Sequence, residues 1–236
     1  MLSREIQIDA DHRVIFNDFR NVTLSEKADL IFADPPFGIG FRGNLQTYHR
    51  TPDALSYVEV SGEEYPGFVG NLLDWSYDAL EDSGSMWLLS GWNNLNVVLD
   101  AVESSRFHVL NHCIWKYQFG VFTRKRFTTS HYHLLLLVKD EENYTFNKPA
   151  HYAEDVWFIK RPYHRKARTA GNELPETLVE RCVCTSSNEG DLVVDPVLGS
   201  GTTMKVCLLR KRRCIGIEVN PALEERIRAK LKMDNV

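Results

Sequence analysis

A chain of 236 residues, 43% of them hydrophobic, is long enough to bury a full core and needs no second unit, so a single domain over residues 1–236 is expected. Its formal net charge of −4 excludes a bulk electrostatic attraction to nucleic acid and leaves any such attraction to local basic patches. Five cysteines without a C-x-x-C pair argue against a disulfide framework or a zinc knuckle, and no apolar run is long enough for a bilayer, so a cytoplasmic protein with no membrane partner and no metal is expected.

The first predicted strand, Arg13 to Phe16, runs into Asn17-Asp18, and the second, Asp29 to Ala33, runs into the sequence ADPPFGIG. Two consecutive prolines fix their own φ angles, lack N–H donors and push Asp34 toward an extended backbone. The corner therefore offers a carboxylate on Asp34, carbonyls on Pro35 and Pro36 without accompanying amides, and the flat ring of Phe37. Acceptors beside a ring suit a ligand that donates hydrogen bonds from an amino group on a flat heterocycle.

An irregular stretch over 38–62 precedes a helix over Glu64–Leu80, a strand over Ser85–Leu89 and a helix over Asn94–Ser104, for which Asn93 and Asn94 read as a cap. Next come a strand at His108–Trp115, an irregular stretch with the basic run Arg124-Lys125-Arg126, and a strand at His133–Val138. His131 and His133 share a face there, but no carboxylate or cysteine at ligand spacing accompanies them. Trp87, Trp92, Trp115 and Trp157 read as packing residues. A second basic segment holds Lys160, Arg161, Arg165, Lys166 and Arg168. Loops this long in a compact fold are commonly functional, so 38–62 and 117–170 are the expected recognition loops.

The last third alternates a helix at Pro175–Ser186, a strand at Leu192–Asp195, the turn PVLGSG, a helix at Thr202–Arg210, a strand at Cys214–Glu218 and a helix at Pro221–Lys232. Amides at the start of a helix that follows a glycine turn receive an anionic group. Glu218 closes the next strand about 20 residues beyond Gly199, where dinucleotide-type folds carry a ribose-binding carboxylate. Thr202 rather than lysine follows Gly201, which weakens a triphosphate reading, and Met204 replaces the third glycine of a nicotinamide fingerprint. S-adenosylmethionine, with one ribose and an amino-acid carboxylate, remains compatible. Seven strands alternating with helices predict a doubly wound α/β sheet.

Asp34-Pro35-Pro36-Phe37 together with DPVLGSGTT resembles the amino-group DNA methyltransferases, the N6-adenine and N4-cytosine enzymes, in the beta-class order with the tetrapeptide early and the glycine motif late. Asn17-Asp18, HYHLLLLVK and ELPETLVERCV fall in familiar places too, so the likeness covers most of the chain. It implies a seven-stranded Rossmann-like methyltransferase sheet with inserted target-recognition loops. It also implies catalytic roles for Asp34, Pro35, Pro36 and Phe37, and S-adenosylmethionine held by Asp18, Asp34, Asp195, Pro196, Gly199, Ser200, Gly201, Thr202, Thr203, Glu218 and Asn220. Within that set, Asp18 would meet the adenine, Glu218 the ribose, and Ser200 and Thr202 the amino-acid end. The partner would be double-stranded DNA with the target base flipped out, its phosphates held by Arg124, Lys125, Arg126, Lys160, Arg161, Arg165, Lys166 and Arg168. A homodimer and a companion restriction nuclease are compatible with the resemblance.

The acid opening the tetrapeptide favours adenine-N6 methylation, with cytosine-N4 methylation as the alternative. Methylation of an RNA base or a protein glutamine fits less well, because those relatives usually begin the tetrapeptide with asparagine and place the glycine motif first. A nicotinamide dehydrogenase stands further off. Val197 occupies the family's usual phenylalanine position, and residues 170–175 read AGNELP where the family commonly has His-x-x-x-Lys-Pro. Those departures keep a non-catalytic nucleic-acid-binding relative as the alternative of a different class.

Overall fold

The computed structural model describes residues 4–39, 60–120, 122–161 and 173–232. Within them lie nine strands: β1 (Arg4–Gln7), β2 (His12–Phe16), β3 (Ala28–Ala33), β4 (Leu80–Ser90), β5 (His108–Lys116), β6 (His131–Val138), β7 (Val156–Phe158), β8 (Leu192–Asp195) and β9 (Arg213–Glu218). All seven predicted strands are present. The two additional ones, β1 and β7, are short edge strands with a single buried residue each, Ile6 and Trp157, too little for an alternating pattern to register. The helices are α1 (Tyr65–Ala79), α2 (Leu95–Glu103), α3 (Glu176–Ser186), α4 (Thr202–Leu209) and α5 (Glu224–Lys232). None is long and apolar enough to cross a membrane among the described residues.

The strands form one sheet in the order β1-β2-β9-β8-β3-β4-β6-β5-β7. β2, β9, β8, β3 and β4 run parallel, β6 inserts antiparallel between β4 and β5, and β5 and β7 are parallel to each other. These parallel strands read as continuous apolar runs because both faces are covered. On one face Val69, Leu72 and Leu73 of α1 and Val98 and Val102 of α2 pack with Ile31, Met86 and Leu88. On the other, Leu178, Val179 and Val183 of α3, Met204 and Val206 of α4, and Ile227 and Leu231 of α5 pack with Leu30, Phe32 and Trp87. Trp87, Trp115 and Trp157 are buried as expected, whereas Trp92 is 49% exposed just beyond the end of β4.

The order reverses between β3 and β8: from β3 the chain moves outward through β4, and from β8 it moves the other way through β9. Such a reversal opens a crevice beyond the carboxyl ends of the strands. The register Leu30↔Val193 and Ile31↔Val194 makes the residues after β3 and after β8 direct neighbours across it.

Candidate active site

Asp34 to Phe37 leave β3 into this crevice. Asn94 holds the end of the turn, its Nδ2 donating to the carbonyls of Phe37 at 2.7 Å and Gly38 at 3.1 Å. This corrects the expected cap: Asn94 stands at the N-cap position of α2, but its side chain makes no capping bond. Gly38 has φ +63°, in the left-handed region, and a Cβ there would lie 2.4 Å from the ring of Tyr65, so glycine suits it on both counts. The Phe37 ring meets Tyr132 of β6 edge to face, with centroids 5.3 Å apart. A Cβ on Gly91, after β4, would already lie 3.1 Å from that ring, so the wall behind Phe37 is tight.

Opposite, Asp195 ends β8 and accepts from the amide of Val197 at 3.0 Å. The turn through Pro196, Gly199, Ser200 and Gly201 then enters α4, with Gly201 at φ +87° as its N-cap. Glu218, at the end of β9, anchors that turn: Oε2 accepts from the Gly199 amide at 2.8 Å and Oε1 from the Asn220 amide at 2.7 Å. The Asn17 amide donates to the Glu218 carbonyl at 3.0 Å, which brings Asp18 to the same edge. Arg20 engages both carboxylate oxygens of Asp18 and holds its carboxyl below the usual range. Ser200 and Thr202 face Lys230 of α5, and Thr203 engages Asp195. The predicted cofactor residues thus converge on one crevice. Lys230 has no sequence signal for this contact, because a lone cation on an amphipathic helix carries no motif.

Three carboxyls crowd this crevice. Burial, with the neighbouring charge of Asp195, pushes Asp34 up to about 7, Arg161 opposing the rise. Burial raises Asp195 to about 6 against hydrogen bonds from Thr203 and Val197, and raises Glu218 to about 7 against the amides of Asn220 and Gly199. A polyphosphate would worsen this repulsion, and a ligand carrying a positive charge would relieve it.

The loop after β5 leaves the same edge of the sheet, with Arg124, Lys125 and Arg126 all exposed and Phe127 fully so. Lys160 is exposed as well. Arg161, expected to hold DNA phosphates, packs against aromatic rings. Its guanidinium lies 4.1 Å from the Tyr117 ring, 4.8 Å from Tyr132 and 5.2 Å from Trp115, while its backbone and the Gln118 amide exchange bonds of 2.8 and 2.9 Å. Arg165, Lys166 and Arg168, and residues 40–59 of the expected recognition loop over 38–62, lie outside the described residues. His131 and His133 do share a face, with rings 5.1 Å apart, and His133 Nδ1 also meets His112 Nε2 at 2.8 Å. No group of three or more metal-binding side chains occurs among the described residues.

A family model described as DNA methylase matches residues 28–229. The DNA adenine methyltransferase YhdJ of Escherichia coli (strain K12) is 29% identical over 229 residues, covering 83% of this chain and 73% of that protein. Two solved structures share the fold. The PvuII DNA methyltransferase, described as cytosine-N4-specific, superposes with a TM-score of 0.73 at 17% identity over 96% of this chain and 88% of its own. M1.HpyAVI in its complex with SAM gives 0.63 at 20% identity over 87% and 89%.

Proposed function

Because this chain belongs to the DNA methylase family, we propose that it methylates the N6 amine of adenine in DNA, taking the methyl group from S-adenosylmethionine. The observation that carries the reading is the register of β3 with β8, which sets the acceptor corner at Asp34 beside the glycine turn after Asp195. The carboxyl cluster fits a sulfonium cation, and Glu218 is situated to accept from ribose hydroxyls with lone pairs its two amide partners leave free.

When bound, S-adenosylmethionine supplies an electrophilic methyl on its sulfonium. The amine of adenine is a poor nucleophile because its lone pair is delocalised into the ring. The Asp34 carboxylate and the Pro35 carbonyl accept its two N–H bonds, favour a pyramidal nitrogen and direct the freed lone pair at the methyl carbon. Because an amine proton could leave after nitrogen had accepted the methyl, these residues would need to supply no strong base. Phe37, backed by Tyr132 and Gly91, offers a face for a base taken out of the duplex, where its amine would otherwise be paired.

Adenine is favoured by the acid of the tetrapeptide and by the adenine-specific relative. The N4 amine of cytosine presents the same two donors, and the shared fold with the PvuII enzyme keeps it as the second reading. Sequencing with modified-base detection on DNA from cells expressing the protein should reveal N6-methyladenine at one short sequence, lost in the Asp34→Ala variant. Marks on cytosine would support the second reading, and no marks would contradict both.

The raised carboxyls give a pH dependence. Folded Asp34, Asp195 and Glu218 keep protons up to about 7, 6 and 7, whereas unfolded carboxyls release theirs near the ordinary 3.8 to 4.5. The folded state therefore binds more protons between those limits, and stability should fall as pH rises through that window. A sulfonium favours the ionised carboxyls, so cofactor binding should release protons and tighten from about pH 6 to 8. Calorimetry in two buffers of different ionisation enthalpy measures the release. Proton uptake, or affinity independent of pH, would contradict it.

The exposed run Arg124-Lys125-Arg126 is assigned to DNA phosphates. Replacing all three with alanine should weaken DNA binding and flatten its salt dependence by about 0.9 per lost contact. Unchanged affinity and slope in a salt titration would make the run an ordinary solvated loop.

A further inference from the structure

Lys230, near the end of α5, reaches back over the start of α4. Its Nζ donates to Ser200 Oγ at 2.9 Å and Thr202 Oγ1 at 2.8 Å, and pairs with Glu173 Oε2 at 3.2 Å. Arg226, one turn earlier on the same helix, binds the other oxygen of Glu173 at 2.7 Å. Nearby Glu176 is paired with Lys205 at 2.9 Å. Glu173 and Glu176 thus lie among three cations, Lys230, Arg226 and Lys205. Only 13% of the Lys230 side chain is exposed. The ammonium is lodged against the turn rather than reaching into solvent, and the contact of α5 with the turn is close: a Cβ on Gly201 would lie 3.3 Å from Ile227.

The direction of these bonds has a chemical consequence. An ammonium only donates, so the oxygens of Ser200 and Thr202 act as acceptors toward Lys230, and each hydroxyl proton is left for another acceptor. Two hydroxyls oriented as donors, beside the Lys230 ammonium and at the helix start, where amides lack intrahelical partners, suit a carboxylate. Residues 170–175, AGNELP, bring no cation of their own to this end of α3.

We propose that Lys230 is the positioning residue that fits the glycine turn to the carboxylate of the cofactor's amino-acid end, by fixing Ser200 and Thr202 as donors and by supplying charge. The proposal rests on the reading that the cofactor is S-adenosylmethionine. It makes Lys230 a determinant of which sulfonium ligand binds, with no part in the methyl transfer itself.

The test is calorimetric binding of S-adenosylmethionine and of decarboxylated S-adenosylmethionine, which keeps the sulfonium, ribose and amine. Both ligands are titrated into the full chain and into Lys230→Met, Lys230→Gln and Lys230→Arg, with folding checked by circular dichroism. Wild type should prefer the carboxylated ligand by about tenfold or more. Lys230→Met should lose about that factor for S-adenosylmethionine and less than about twofold for the decarboxylated ligand, which erases the preference. Lys230→Gln, which keeps a donor without the charge, should fall between, and Lys230→Arg should restore the preference in part. Equal losses for both ligands would make Lys230 a structural brace and overturn the proposal, as would the full wild-type preference retained in Lys230→Met or in Lys230→Gln. If wild type binds neither ligand, the cofactor reading itself fails and Lys230 loses its assigned role with it.

Discussion

Asp34→Ala should remove methyl transfer to DNA while leaving a folded protein. In the proposed mechanism the carboxylate is one of two acceptors that localise the amine's lone pair, and losing one such preorganised group costs roughly 10²–10³-fold in rate, or more where no water replaces it. The fold should tolerate the change, because burial and Asp195 already raise the carboxyl to about 7 and its ionisation works against the folded state. Removing it should therefore leave stability unchanged or slightly higher above that pH. Cofactor affinity should fall less than the rate, since the proposed ribose contact of Glu218 is untouched and Asp195 remains in the crevice. Single-turnover transfer of labelled methyl groups, beside a thermal melt, separates these effects. Near-wild-type transfer by a folded variant would reduce the tetrapeptide to a rigid strand terminator.

Glu218→Gln should produce the second large effect, on cofactor binding. The carboxylate accepts from the amides of Gly199 and Asn220 at once, one on each oxygen. A glutamine amide keeps one acceptor and turns an NH₂ toward the other N–H, so one amide loses its partner and the glycine turn loses an anchor. The charge-assisted bonds proposed to the ribose hydroxyls would be lost too, typically worth about 1.5–3 kcal/mol in total. Affinity for S-adenosylmethionine should drop by about tenfold to a hundredfold, more than for Asp34→Ala. Calorimetry with the cofactor alone, without DNA, measures it; an unchanged dissociation constant would remove Glu218 from the site.

The two halves of the site were legible because each is a local pattern. An apolar run ending in Asp34-Pro35-Pro36 and a run ending in Asp195 before glycines both mark strands that stop at an edge, and parallel topology makes those edges neighbours. What escaped the sequence was whatever depends on contacts between distant segments. Lys230 lies 30 residues from Ser200 and Asn94 lies 57 from Phe37, and neither separation repeats a motif. Asn94 misled because asparagine before a helical pattern usually caps it, whereas here the same amide closes the turn after Phe37. Arg161 was grouped with the basic segment by composition, yet Tyr117 and Tyr132, one before a loop and one after it, enclose it. β1 and β7 escaped because edge strands bury too few residues to show a period.

In the proposed mechanism the corner after β3 holds the amine of an extruded adenine. A crystal structure of the protein with S-adenosylhomocysteine and a duplex carrying the methylated sequence tests it most directly. The adenine is expected out of the helix against Phe37, with N6 within about 2.6–3.2 Å of both the Asp34 carboxylate and the Pro35 carbonyl and the ligand's sulfur facing that nitrogen on the side away from both acceptors. A base still stacked in the duplex, or an extruded base whose amine is held by other groups while Asp34 points elsewhere, would contradict it.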